Sequence, residues 1–113
     1  MTKLPNPRLI IVDRAKVLDF LLNPAHPDNG GKAEFFFSAG FSKEGWQILA
    51  GSLRNLGESF PVAKEVESAH GTKYVVDGEM MTPSGKTRAV RTIWIIDKEE
   101  KIPRLVTAYP KEK

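Results

Sequence analysis

No cysteine occurs anywhere in the 113 residues. That excludes a disulfide framework, thiolate zinc ligation and a cysteine nucleophile together. It also fits a cytoplasmic protein, which is the expected location. Histidine is nearly as scarce. His26 and His70 are the two present, and they do not form a paired ligand spacing. No metal site and no cofactor are expected. Long hydrophobic runs are missing too. The longest reach four or five residues, where about 20 are needed to span a bilayer. The N-terminal MTKLPNPR is polar and holds two prolines, so it does not read as a signal peptide. A strong charge of one sign is also lacking. The net charge is +3 and the pI about 9.3, with the excess spread along the chain. Such a balance tolerates phosphate without marking a dedicated nucleic-acid binder.

Two enzyme motifs fail on inspection. Gly85-Lys86-Thr87 resembles the end of a phosphate loop, but the nearest preceding glycine is Gly78 and a strand follows where a helix is required. The nucleophile elbow G-x-S-x-G does not occur.

What the chain has is ordinary globular composition, 41% hydrophobic and 27% charged, enough for one core. Residues 1–8 read as a flexible lead, 9–110 as a single α+β domain and 111–113 as a tail. Leu9–Val12 is a short apolar run, either an edge strand or an extended arm. Asp13 looks like an N-cap, with a helix from Arg14 to Leu22 that Asn23-Pro24 stops. Residues 23–31, NPAHPDNGG, are a loop. A second helix is expected over 32–39. Its three adjacent phenylalanines cannot share one face, which implies cover on two sides. Ser42 reads as the N-cap of a third helix, with Phe41 and Trp46 at staple spacing and Gly57 closing it.

From Pro61 the period shifts towards two. Strands are expected at 62–66, 72–81, 86–97 and 102–109, with Thr82–Gly85 as a hairpin loop. About three N-terminal helices packed on a roughly four-stranded antiparallel meander make an α+β fold. The runs 91–96 and 105–109 are apolar on both sides, as expected of strands at the sheet's centre.

On the residues alone, Thr92 and Thr107 read as strand filler and Arg91 as a surface cation. His26, in a loop, reads as a surface histidine, with general acid or base as the functional alternative.

The segments LLNPAHP, Lys32–Phe36, Gly40-Phe41-Ser42, Lys73-Tyr74, Arg91-Thr92-x-Trp94 and PRLVTAYP together resemble a bacterial family of small domains of unknown function. They span about residues 16–110. More distantly, helices before a four-stranded antiparallel sheet with late basic, hydroxyl and Tyr groups resemble the barnase/RelE-type ribonuclease toxins. That resemblance implies a metal-independent endoribonuclease of toxin–antitoxin type, with RNA as substrate and a small neutralising protein as partner. His26, Arg91 and Tyr109 would then be catalytic, with His26 as base or acid. Lys32, Thr92 and Thr107 would bind substrate. The alternative function is a non-catalytic protein-interaction domain.

Overall fold

The strand-forming half of the chain, rich in Val, Ile, Thr and aromatic residues, builds one antiparallel meander in a computed structural model that describes residues 2–111. The strands are β1 (Val62–Ser68), β2 (Gly71–Met81), β3 (Thr87–Asp97) and β4 (Arg104–Pro110), and their order in the sheet follows the chain. An α+β fold with a four-stranded meander is therefore what the sequence folds into. One detail differs from expectation. β2 and β3 hold the centre, while β4 lies at one edge. The start of β4 is covered by the 9–12 run, which pairs with it in parallel: Ile11 donates to the Pro103 carbonyl and accepts from Leu105. That covering lets an edge strand carry buried apolar residues.

Helices cover one face of the sheet. Val76, Val90, Thr92, Trp94 and Ala108 point into that layer and are wholly buried. The helical segment after Asp13 is wider than an α-helix. From Lys16 to Leu21 it is a π-helix, closed by Leu22 N–H to the Val17 carbonyl at 2.8 Å. The wide turn brings Val17, Leu21 and Leu22 all into the core and leaves Phe20 at its margin.

Helix α1 (Lys32–Ser38) follows the loop. Phe36 is buried, Phe35 is half-buried and Phe37 is exposed, so the helix is not covered on both sides as expected. Helix α2 (Trp46–Ser59) begins later and ends later than its sequence signals suggest. Ser42 does not cap it. Its hydroxyl accepts from the Gly45 amide at 3.1 Å, within a turn that precedes the helix. Gly57 does not end the helix either. It lies buried inside it, directly against the Trp94 indole. The absence of a side chain there serves close helix–sheet approach rather than termination.

Residues 2–8 lie against the domain. Leu4 is in the core, the Thr2 carbonyl accepts from Val62, and Pro7–Leu9 form a 3-10 turn. Of the expected tail, Lys111 is placed, its amide bonded to the Ala89 carbonyl. Residues 112–113, like Met1 of the lead, fall outside the described residues. Among those described, no helix is long and apolar enough to cross a membrane.

Candidate functional site

The loop 23–31 is held in shape by a residue that sequence reading passed over. Asn29 is 2% exposed. Its amide group donates to the carbonyls of Phe20 (2.6 Å) and Leu21 (3.3 Å), and its side-chain oxygen accepts from Ala33 at 2.9 Å. One buried amide thus ties the end of the π-helix to the start of α1, as a buried polar group must if it is to be tolerated. Gly30 and Gly31 follow at φ 60° and 88°, a left-handed pair that turns the chain sharply into Lys32.

That turn delivers Lys32 to the edge of the sheet. Its ammonium lies 5.9 Å from the centre of the Tyr109 ring and 5.5 Å from that of Phe20. It donates to the Asn29 and Asp28 carbonyls at 3.0 and 3.3 Å. No carboxylate pairs with it among the described residues: the ion pairs there belong to Arg91, Arg104 and Lys111.

Tyr109 is the cross-strand partner of Arg91, which is in turn the partner of Asp77. The three side chains therefore form a row across β4, β3 and β2 on the face without helices. Arg91 grips Asp77 with two parallel bonds, Nε–Oδ1 at 2.8 Å and Nη2–Oδ2 at 2.9 Å. Lys111 adds a third cationic contact at 3.4 Å. The Arg91 hydrogen bond holds the Asp77 carboxyl below the usual carboxylate range, against the opposing effect of burial. The same bond raises the Arg91 pKa, and the neighbouring Tyr109 hydroxyl adds a smaller push in the same direction. Two of the guanidinium's five N–H donors are spent on Asp77, and the Tyr109 hydroxyl lies beside the rest.

Two open hollows meet at Tyr109. One, about 370 Å³, is lined by Gly30, Gly31, Lys32, Tyr109 and Pro110. The other, about 290 Å³, is lined by Arg91, Tyr109, Pro110 and Lys111. A groove of similar size runs along β1 at the opposite edge of the sheet, beside Tyr74, and contains none of these groups.

The remaining expected residues separate. His26 stands one ring away, edge-on to Phe20 with centroids 4.9 Å apart. Its Nδ1 accepts from the Asp28 amide at 3.0 Å, which leaves the neutral ring its proton on Nε2 and makes that nitrogen a donor. Thr92 is not in the site at all. It is 0% exposed, donates to the Val76 carbonyl at 2.8 Å and accepts from the Trp94 indole at 2.7 Å. Thr107 shares a sheet face with Tyr109, but its hydroxyl is buried and without a partner. Phe20, Asn29 and Asp77 were not singled out from sequence. Asp77 had no local signal, whereas Phe20 had one, standing beside the apolar stripe of its helix. Among the described residues, no three His, Asp or Glu side chains gather as a cation site would need.

The chain belongs to the family described as "Domain of unknown function (DUF6883)", which it matches over residues 3–112. No curated protein matches it. Among solved structures, it is similar to a chain of a contact-dependent growth inhibition toxin–immunity protein complex from Klebsiella pneumoniae 342. The TM-score is 0.73 at 18% identity, over 89% of this chain and 99% of that one. At that identity the likeness is one of fold.

Proposed function

We propose that this member of the family is a metal-independent endoribonuclease of a toxin system, acting on single-stranded RNA and neutralised by a small protein partner. The observation that carries the reading is the placing of Tyr109 between Lys32 and Arg91, with an open hollow on either side. A fold shared with a chain of a toxin–immunity complex supports the class.

RNA cleavage by transesterification needs positive charge around a pentavalent phosphorus and a proton for the departing oxygen. The 2′-oxygen bonds to phosphorus as the bond to the 5′-oxygen breaks. Lys32 and the free N–H groups of Arg91 neutralise the equatorial oxygens. Tyr109 gives its phenolic proton to the 5′-oxygen and recovers one from solvent, while the 2′ proton leaves to water. His26, with its donor at Nε2, binds a flanking phosphate. It becomes a base only in the other tautomer, at the cost of the Asp28 bond. Thr92 has no part.

The test is induction of the wild type, Tyr109→Phe and Lys32→Ala in cells, following growth and total RNA. The purified proteins are then incubated with single-stranded RNA and the ends analysed. The reading requires growth arrest and 2′,3′-cyclic phosphate ends from the wild type, both lost in the variants. Intact RNA with folded wild type would sink it.

A second reading has its own observation. β1 is an outer strand with six of its seven residues exposed, an edge that can accept a strand from another protein. Under that reading the chain is a non-catalytic interaction domain.

A further inference from the structure

Phe20 belongs neither to the core proper nor to the two hollows at Tyr109. It is half-buried on the π-helix, with three groups gathered round its ring. The Lys16 ammonium is 5.0 Å from the centroid, the Lys32 ammonium 5.5 Å, and the His26 imidazole meets it edge-on. Neither lysine is ion-paired among the described residues. An ammonium resting on an aromatic face at a wet surface is weakly held and easily drawn off by a phosphate. Followed along the surface, the groups alternate: Lys16, Phe20, Lys32, Tyr109, Arg91. A single nucleic-acid strand alternates phosphate and base in the same way.

We propose that Phe20 is a nucleobase-stacking platform, with Lys16 and Lys32 taking the phosphates on either side of that base. It extends the Tyr109 site by one nucleotide, and rests on the nucleic-acid reading above for its class of ligand. The base takes the ring face as a lysine leaves it for the backbone. The π-helix is what makes the platform. An i→i−5 turn sends Val17, Leu21 and Leu22 inward together and leaves Phe20 at the rim beside Lys16. Stacking reads any base by its face, so the platform selects single strands over duplexes, whose bases are already stacked.

The experiment measures binding of a fluorescent single-stranded deoxyoligonucleotide by anisotropy across a salt series. The ligand has no 2′-hydroxyl and cannot be cleaved, so binding is separated from catalysis. Phe20→Leu keeps apolar volume and loses the stacking face. It should weaken binding about tenfold with the salt slope unchanged. Phe20→Tyr should bind as the wild type does. Lys16→Gln should reduce the slope by about 0.7, the value for one lost phosphate contact on a single strand. Circular dichroism melts establish that each variant is folded. A folded Phe20→Leu with wild-type affinity overturns the platform, as does a wild type that does not bind the oligonucleotide. If RNA is still cleaved in either case, the ribonuclease reading stands without the platform. Weakened binding by Phe20→Leu, beside a wild type that leaves RNA intact, supports the platform and removes the ribonuclease.

Discussion

The Trp94 indole donates to the Thr92 hydroxyl at 2.7 Å, inside the core, with both residues fully buried. The two are neighbours but one along β3, on the same face. The hydroxyl in turn donates a hydrogen bond to the Val76 carbonyl on β2. The indole N–H and the Thr92 hydroxyl are thus both satisfied without water.

Thr92→Val therefore keeps the shape and strands the indole N–H. A loss of about 1–3 kcal/mol is expected in urea unfolding, while Thr92→Ser loses less because the bond survives. A Thr92→Val protein as stable as the wild type would show that the indole finds another partner.

Gly57 and Gly51 share helix α2 and differ in what a methyl group would meet. At Gly51 there is nothing within 4 Å; at Gly57 the Trp94 ring and the Ile10 side chain stand in the way. Gly51→Ala should stabilise by about 0.5–1 kcal/mol through helix propensity. Gly57→Ala should destabilise by about 1–3 kcal/mol despite the same gain. Thermal melts of the two variants should move in opposite directions.

Asp77 gives the fold a defined acid response. Its folded pKa lies below the ordinary value of 3.8, chiefly through the Arg91 hydrogen bond. Its contribution is complete above that ordinary value and is lost as pH falls through the lowered one. Asp97 behaves alike through Arg104. Asp77→Asn should lower the melting temperature near neutral pH, by up to about 1 kcal/mol of stability, and narrow its gap to the wild type in acid. A gap that stays constant from neutral pH into strong acid would contradict this.

The Thr107 hydroxyl is buried and unbonded, so it costs stability. Thr107→Val should be neutral or stabilising by about 1 kcal/mol in denaturant titration. If the hydroxyl also serves the substrate, the stabilised variant will cleave RNA more slowly. Unchanged cleavage assigns Thr107 to the strand alone.

On the proposed ribonuclease reading, Lys32→Ala should lower RNA cleavage by about a hundredfold or more, the usual effect of removing one preorganised group that stabilises transition-state charge. Lys32 is only partly buried, and its loss should leave the melting temperature within a few degrees. Equal cleavage rates would place the reaction elsewhere on the molecule.

Local pattern carried a good part of the fold. The period of two in β2 and β3, the Thr82–Gly85 hairpin and the apolar stripe of α2 each announce themselves within a few residues. The helix boundaries at Ser42 and Gly57 were misleading, because a serine that closes a turn and a glycine that admits a tryptophan look like caps when read alone. For the candidate site, Lys32, Arg91 and Tyr109 were visible, and the structure sets Lys32 and Arg91 each beside Tyr109. Thr92 was visible and is spoken for in the core. Asp77 emerged only from cross-strand pairing, and the cations round Phe20 only from packing.

By itself the sequence determined the class of the fold, the order of its elements and the lack of thiol chemistry. These follow from short-range periodicity, turn-forming residues and composition. Only the tertiary structure decided which hydroxyl is spent in the core, which cation is locked to a carboxylate and which rest on rings. Those outcomes depend on cross-strand register and on a single π-turn, relations between residues far apart in the chain that no local pattern encodes.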